Sequence, residues 1–588
     1  RQQTLAGAIE WSWDQLTEWE KSAFVQSSVF VGGFNDEAAA RVIDLSAHAG
    51  APSPVAAVRA LVSRSLATVA ETPRGPRTSM YRPIREYAER RRAESGAEGA
   101  AAEDRHAAWC LELGNRSELQ RRSPGEPEAR DRMLAEMDNF LTAFDRLEGA
   151  QGADAPERAR RACQVILPFE WIVERFCRNP GILARAERGL RRLETLPPSP
   201  GDSQLRAGLH TLAGNSYWQA SDRVRAIPHF DLAVAAARES GDARFTARAV
   251  SGRILAHWST GQYEEGLRLL EEVELFYAQQ NDTGALGMTA NMRGALLLWR
   301  GEVRPALTAF ERGKTLCQQA GWGYGVAMVV GNMGIAWKEL GDVDASTACY
   351  REALKFAETA GYPSLESSCL VNLAGELSDF GKFEEALQHF DRASEIDRRM
   401  GDKGLIARRE GNRAVVFLRQ GRYEEALRIM QACDRHLRET MDHAAVTANL
   451  TNMAAVLISM KRQDEALAPL AEAREKEAGT GNVLAIAQID QYVGRAHFES
   501  GRYEEAAKVL RGAVQAGREV GVMRNFRHLL SACLLALSED KLGRRAEALA
   551  LVREIRPRVE ADSFRMRDWD DSFHTYWLQT LALLEGGA

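Results

Sequence analysis

The segment GRYEEAL at residues 421–427 recurs almost unchanged as GRYEEAA at residues 501–507. Two close variants, GKFEEAL and GQYEEGL, begin at Gly381 and Gly261. These starting points differ by multiples of forty residues, so the chain is built on a repeat of that length. A fixed period of this size is typical of stacked supersecondary units, each of which buries its apolar face against the next.

Glycines mark two helix ends in each period. One column holds Gly181, Gly261, Gly301, Gly341, Gly381, Gly421 and Gly501, with Ser221 and Lys461 in the gaps. A second column holds Gly201, Gly241, Gly321, Gly361, Gly401, Gly481 and Gly521. Glycine commonly follows the last turn of a helix, so two columns predict two helices per unit. Apolar residues between the columns keep helical spacing, which predicts a helical hairpin.

Small residues form two further columns at positions where the helices of a hairpin would meet. The first holds Gly214, Gly294, Gly334, Ala374, Ala414, Ala454 and Gly494, and the second holds Ala226, Gly266, Ala306, Ser346, Ala386, Ala426, Ala466 and Ala506. We expect these residues to allow a close approach, with Phe230, Phe310, Tyr350 and Phe390 filling the next layer. This order of residues resembles the tetratricopeptide (TPR) pattern over residues 160–562. The forty-residue period resembles the long-helix subclass found in bacterial regulators and peptide-binding scaffolds.

Residues 1–95 lack the repeat. Their helical segments, followed by two short extended runs around a Pro/Gly turn, predict a winged helix. The motif TLAGAIEWSWDQL, with SVFVGGFNDEAA after it, resembles the segment that follows the nucleotide-binding domain in STAND-type signalling ATPases. The stretch AEMDNFLTAF, at 135–144, resembles the E-x-D-N helix that precedes the repeats in those proteins. The resemblance implies a sensor array whose signal is relayed by the winged helix.

The predicted fold class is mostly α, a winged helix followed by an α-solenoid. The predicted divisions are a winged-helix domain at 1–95, a helical linker at 96–160, a TPR-like superhelix of forty-residue hairpins at 161–562 and a capping helix at 563–588. The chain of 588 residues opens without methionine. We therefore expect a longer protein, in which the resemblance implies an upstream nucleotide-binding domain.

Composition narrows the classes of function. The net charge of −6 gives no global field that would attract nucleic acid or an anionic membrane. No apolar run is long enough to span a bilayer, so we expect no membrane partner and a cytoplasmic location. The eight cysteines are scattered without a C-x-x-C pair, which favours buried thiols over a disulfide framework or a zinc site.

The chain carries no recognisable catalytic or cofactor motif. The only GKT, at Gly313–Thr315, lacks the glycine-rich loop and strand that a phosphate site requires. Hydrolase, zinc-protease and kinase signatures are also missing from the sequence. We therefore expect this region to be non-enzymatic and to bind no cofactor.

One pattern exceeds what packing requires. Asn332, Asn372, Asn412 and Asn452 recur in four consecutive units, two residues before the small column. In a TPR hairpin this position faces the concave groove, where amides can bond the N–H and C=O groups of an extended peptide. Nearby Lys338, Arg408 and Arg495 are candidates for recognising an acidic ligand. The alternative is that each asparagine bonds a neighbouring helix and fixes the repeat spacing.

The predicted function is a regulatory or sensor region that binds a protein or peptide. Two rival functions stay open at this point. One is a DNA-binding regulator that uses Arg74, Arg77, Arg82, Arg85 and Arg90–Arg92 as a basic wing, although residues 1–95 are nearly balanced in charge. The other is a stand-alone scaffold or inhibitor of a partner kinase or protease.

Overall fold

Each forty-residue period folds as two helices of about seventeen residues joined by a short turn. The computed structural model describes residues 5–72, 75–177, 179–220, 222–340, 342–400, 403–439, 443–478, 482–519, 526–561 and 571–585. The chain divides into two compact units. The first comprises Arg1–Arg121, Gly125–Ser216 and Leu232–Phe245, and the second comprises Arg122–Pro124, Tyr217–Asp231 and Thr246–Ala588. The four divisions drawn from the sequence stay a prediction.

The earlier part of the chain mixes helices with one hairpin. Its elements are α1 (Leu5–Asp14), α2 (Glu18–Ser27), α3 (Asp36–Val42), α4 (Pro54–Ser63), β1 (Thr68–Thr72), β2 (Gly75–Ser79), α5 (Arg82–Glu94), α6 (Ala97–Leu119), α7 (Glu126–Ala135), α8 (Met137–Glu148), α9 (Ala155–Ile166), a 3-10 turn at Leu167–Phe169, α10 (Glu170–Arg175) and α11 (Pro180–Thr195).

The repeats follow as regular helix pairs. They are α12 (Asp202–Gln219), α13 (Arg223–Ser240), α14 (Ala243–Thr260), α15 (Tyr263–Gln279), α16 (Thr283–Trp299), α17 (Val303–Gln319), α18 (Gly323–Glu339), α19 (Val343–Thr359), α20 (Pro363–Asp379), α21 (Phe383–Met400), α22 (Lys403–Arg419), α23 (Tyr423–Glu439), α24 (His443–Ser459), α25 (Gln463–Ala478), α26 (Val483–Glu499), α27 (Tyr503–Glu519), α28 (Phe526–Lys541), α29 (Arg545–Ala561) and α30 (Asp571–Glu585). The fold is mostly α and continues as a solenoid of these pairs, as the forty-residue period predicts.

The turn at Gly421 shows why the first glycine column ends helices. Gly421 has φ +74°, its N–H donates to the carbonyl of Leu418 at 3.0 Å, and the N–H of Arg422 donates to that of Phe417 at 2.9 Å. These two bonds are the Schellman ending of a helix. Lys461, which fills a gap in the column, forms the same motif at φ +61°. The backbone conformation is therefore kept even where glycine is absent.

Gly181 is an exception, because it lies in the first turn of α11, where the side chain of Asn179 accepts a hydrogen bond from its N–H at 2.8 Å. Its place in the column is a coincidence of numbering, and the prediction that it ends a helix is wrong. Ser221, Gly341, Gly401, Gly481 and Gly521 lie outside the described residues.

The small columns allow the close approach that the sequence predicts. A Cβ atom added to Gly334 would lie 2.6 Å from the Tyr350 ring, and one added to Gly294 would lie 2.5 Å from the Phe310 ring. Both rings are buried. Each helix from α16 to α29 packs against the next, and the first helices of successive units, α16 to α26, also contact one another. The first helices therefore line one continuous wall within the second unit.

The first 95 residues combine capped helices with an antiparallel hairpin. Thr17 caps α2, and the Glu20 carboxylate accepts a bond from its N–H at 2.8 Å. The strands pair from Thr68 with Ser79 to Thr72 with Gly75. Phe34 adds a bridge to Thr78, with two backbone bonds of 2.8 and 2.9 Å. Helices with a short hairpin agree with the predicted order of elements, and the winged-helix assignment itself stays a prediction.

The E-x-D-N segment at the start of α8 holds the loop at 31–33. The Asn139 side chain accepts a bond from the N–H of Val31 at 3.0 Å and donates to the carbonyl of Gly33 at 2.9 Å. It also donates to Glu136 at 2.7 Å, and Glu136 pairs with Arg77 of the hairpin at 2.5 Å. One buried asparagine therefore connects α8 to the N-terminal helices, and Glu136 connects it to the hairpin.

Candidate functional site

The four recurring asparagines lie at equivalent positions on α18, α20, α22 and α24, the first helices of consecutive units. Asn372 is exposed, whereas Asn332, Asn412 and Asn452 are half-buried. The side chains of Asn372, Asn412 and Asn452 make no hydrogen bond with any residue that the structure describes. Three amides along one wall therefore keep both their donors and their acceptors available.

Two neighbouring cavities open along this wall. The first has a volume of about 310 Å³ and contains Asn412 and Asn452. Its other lining residues are Arg223, Arg408, Gly411, Leu437, Ala444, Ala445, Ala448 and Asn449. The second has a volume of about 270 Å³ and contains Asn372 and Asn412. Since Asn412 lines both, the three amides border one extended depression, which we call the asparagine groove.

Asn332 behaves differently from the other three asparagines. Its Nδ2 donates to Oδ1 of Asn291 in the preceding unit at 2.8 Å, and Asn291 is buried. This bond joins α16 to α18. The alternative interpretation, in which the amides fix the repeat spacing, therefore holds for Asn332.

Removing this bond provides a first test. We expect Asn332→Ala to lower the free energy of unfolding by about 1 kcal/mol, because the buried acceptor on Asn291 loses its donor. Asn372→Ala is the matched control and should change stability by less than about 0.5 kcal/mol, since Asn372 is exposed. Thermal melting of the two variants measures the difference. Equal losses would show that Asn372 also carries a structural bond.

Lys338 lines the second cavity, but two carboxylates already hold its ammonium group. It contacts Asp379 and lies 2.9 Å from Glu376, both on the next first helix. Burial alone would lower the pKa of Lys338, but the two carboxylates outweigh this effect and raise the pKa above its usual value. Asp379 also pairs with Arg419. Lys338 therefore belongs to an internal charge network that joins successive units.

Arg408 and Arg495 occupy different surroundings. Arg408 lines the first cavity beside Asn412. Arg495 pairs with Glu499 at 2.8 Å and lies 5.9 Å above the ring of Tyr576, whose hydroxyl donates to Glu499 at 2.7 Å. Arg495 therefore helps to attach α30 to α26, and it lines neither cavity.

Two lining residues have no signal in the repeat pattern. Arg223 stands in the first turn of α13, far earlier in the chain than the other residues of its cavity. Asn449 has no asparagine at the equivalent position one period before or after it, where Arg409 and Ile489 stand. Only the folded chain brings these two side chains to the groove.

Other kinds of site find little support in the part of the chain that the structure describes. No group of three His, Cys, Asp or Glu side chains is placed there to hold a metal ion. No helix among those residues is long and apolar enough to cross a membrane. The GKT segment lies inside α17, where Lys314 pairs with Glu352 at 2.7 Å.

Comparison with known proteins supports the repeat. Residues 408–432 match the tetratricopeptide repeat family. The regulatory protein RapG of Bacillus subtilis (strain 168) is 26% identical over 163 residues, which make up 27% of this chain and 43% of RapG. The chain therefore matches less than half the length of this curated relative.

Several solved structures are similar to the chain at low sequence identity. A Rap protein complexed with competence and sporulation factor gives a TM-score of 0.48 at 13% identity, over 64% of this chain and 98% of that one. A STAND protein with a tetratricopeptide repeat sensor from Pyrococcus horikoshii gives a TM-score of 0.45 at 16% identity, over 81% of this chain and 66% of that one. NprR in complex with its cognate peptide NprX gives a TM-score of 0.36 at 15% identity, over 55% of this chain and 98% of that one.

Proposed function

We propose that this chain is a non-catalytic regulatory region that binds an extended peptide, or an extended segment of a protein, in the asparagine groove. The observation that carries the proposal is the contrast between Asn332, which is bonded to another repeat, and the three amides beyond it. Asn372, Asn412 and Asn452 have no bonding partner among the described residues and line adjoining cavities.

An amide side chain is well suited to hold a peptide backbone. It can accept a bond from an N–H and donate one to a carbonyl, whatever side chains the peptide carries. A row of such amides on successive units offers these bonds at intervals along the groove. Apolar residues of the second cavity, including Val371, Phe390 and Val415, would then contact the peptide side chains.

The names of two similar proteins describe functions of the same general kind as the one proposed. RapG is a regulatory protein, and NprR was solved with a cognate peptide. The STAND relay is the finer part of our proposal. In it, residues 1–95 transmit occupancy of the groove to a nucleotide-binding domain elsewhere in a longer protein, as the sequence resemblance implies. We propose a cytoplasmic location for such a sensor.

A pool of biotinylated pentapeptides with free carboxylates tests the binding. Wild type should retain a subset with a recurring sequence, and Asn372→Ala with Asn412→Ala should lose about thirtyfold in affinity for it, at about 1 kcal/mol per bond. The melting temperature of the double variant should match that of wild type, because the two side chains make no hydrogen bond with any described residue. Equal retention by both proteins would contradict the proposal.

The DNA-binding alternative is weakened by three arginines of the predicted wing, although Arg82 and Arg90 are exposed. Arg77 pairs with Glu136, Arg92 pairs with Glu103 at 3.2 Å, and Arg85 donates to the carbonyl of Val31 at 3.1 Å. Each of these side chains is less than a quarter exposed. Arg74 lies outside the described residues. Charges used in this way contribute little to binding phosphates, and we therefore propose no nucleic-acid partner.

A further inference from the structure

The wall of the asparagine groove is helical, and this limits how it can hold a peptide backbone. It is formed by first helices of successive units, whose backbone N–H and C=O groups are bonded within each helix. A strand edge would pair with an extended chain through its own backbone, but these helices present none. The bonds to a ligand backbone therefore come from side chains, and Asn372, Asn412 and Asn452 are the amides placed to supply them.

The distance between neighbouring first helices sets the spacing of these amides. Helix α20 contacts α22, and α22 contacts α24. Packed helices have axes about 8–10 Å apart, so equivalent side chains on successive first helices recur at about that interval. A ligand that bonds all three asparagines therefore presents backbone groups to one side at steps of about 8–10 Å.

Two regular extended conformations differ in this step. In a β-strand the same side recurs every two residues, at about 6.6 Å, and again after four residues, at about 13 Å. In polyproline II the same side recurs every three residues, and a rise of about 3.1 Å per residue gives a step of about 9.3 Å. Only the threefold step falls within the interval of the asparagines.

The second cavity of the groove also suits the polyproline II conformation. Such a chain makes no internal hydrogen bonds, so its backbone groups are free to bond amides. Between Asn372 and Asn412, the cavity is lined by the apolar side chains of Val371, Phe390 and Val415. Surfaces of this kind pack against prolyl rings and small apolar side chains. This part of the groove can therefore accept proline.

Asn449 indicates where the ligand brings a further N–H group. Its side chain lines the first cavity and is 4% exposed. Its Nδ2 donates to the carbonyl of Met430 at 2.9 Å, and its Oδ1 is buried without a hydrogen-bond partner among the described residues. A Cβ atom added to Gly411 would lie 3.5 Å from this oxygen, so the glycine keeps the space beside it open. Because an unpaired buried acceptor is costly, the cavity favours a ligand residue that has a backbone N–H.

We propose that the asparagine groove selects a segment in the polyproline II conformation, and that Asn372, Asn412 and Asn452 bond ligand residues three positions apart. The inference rests on the proposed peptide-binding function. It adds the conformation of the ligand, its register and a length of about seven residues for full occupancy. Proline is accepted at both residues between the contacts to Asn372 and Asn412. One of the two residues between the contacts to Asn412 and Asn452 keeps its N–H for Asn449.

Lengthening a peptide tests the register first. The starting point is a pentapeptide that is retained by wild type and depends on Asn372 and Asn412. In the threefold register it is too short to reach Asn452 as well. Of two eight-residue forms with three alanines added at either end, one should bind about fivefold tighter, as expected for one further bond. The gain should be lost in the Asn452→Ala protein. In a twofold register the pentapeptide already reaches all three amides, so no gain in either form would contradict the proposal.

Methylation of single backbone nitrogens in the longer peptide then locates each contact. Each methyl group removes one N–H donor. Titration calorimetry with wild type should show about fivefold weaker binding at three positions spaced by three residues, and at one further position that faces Asn449. Asn372→Ala, Asn412→Ala and Asn452→Ala should each abolish the effect at one of the three positions, in that order along the peptide.

Asn115→Ala, at an exposed position on α6, is the matched control and should leave every methylation effect unchanged. Melting curves verify that all variants are folded. Proline at both residues between the contacts to Asn372 and Asn412 should keep or raise the affinity, because proline fixes φ at the value that polyproline II requires.

The outcomes separate the inference from the function on which it rests. If the three asparagines couple to every second residue, or if the double proline substitution abolishes binding, the ligand is a β-strand, and the inference is overturned while the groove still binds peptides. If no methylation couples to any of the three asparagines, the amides do not hold the peptide backbone, and the proposed function also fails.

Discussion

Gly334→Val should lower the free energy of unfolding of the second unit by about 3 kcal/mol. A Cβ atom at this position would lie 2.6 Å from Cε1 of Tyr350 and 2.9 Å from its Cδ1. The ring is 3% exposed, so it cannot move into solvent without opening the interface between α18 and α19. A branched side chain therefore forces the two helices apart.

Gly331→Ala in the same helix is the matched control. An added Cβ there meets nothing within 4 Å, and the backbone is helical. Alanine should leave stability unchanged or raise it by up to about 1 kcal/mol, because glycine is the poorer helix former. Urea denaturation measures both variants. Equal effects at the two positions would show that the small column does not set the approach of the helices.

Asn139→Ala should lower the free energy of unfolding of the first unit by about 3 kcal/mol. The side chain is fully buried, and its three bonds satisfy the N–H of Val31, the carbonyl of Gly33 and the carboxylate of Glu136. Alanine would leave these three groups buried without the hydrogen bonds that Asn139 supplies. Each lost bond should lower the free energy of unfolding by about 1 kcal/mol or more.

Asn115→Ala on α6 is the control for this prediction, because Asn115 is exposed and helical. The free energy of unfolding of Asn115→Ala should stay within about 0.5 kcal/mol of the wild-type value. Urea denaturation followed by hydrogen exchange of backbone amides in the first unit compares the two variants. A small effect of Asn139→Ala would show that the loop at 31–33 is held by other contacts.

The helical hairpins were predictable because their determinants recur. A helix ending needs a residue that tolerates positive φ, and a close helix contact needs a small side chain, so both leave columns in the sequence. Gly181 is the exception to this pattern. It falls on the column by number, but Pro180 and the Asn179 cap make it the beginning of a helix.

The candidate site was only partly predictable. The sequence placed Asn372, Asn412 and Asn452 on one wall, because their spacing equals the repeat. It could not show that Lys338 is paired with Glu376 and Asp379, since those partners come from a neighbouring helix and ion pairing depends on side-chain geometry. Arg223 could not be predicted either, because it lies in an early repeat, far in sequence from the other lining residues. The fold of the second unit brings it to the first cavity.

Titration calorimetry with one peptide retained from the free-acid pool tests whether Asn372 and Asn412 hold the peptide. We expect Asn372→Ala with Asn412→Ala to weaken binding about thirtyfold with an unchanged melting temperature. We also expect Asn332→Ala to lower the melting temperature and to leave the affinity within about twofold of wild type. An unchanged affinity in the double variant, or a large fall in its melting temperature, would contradict a peptide groove built on these amides.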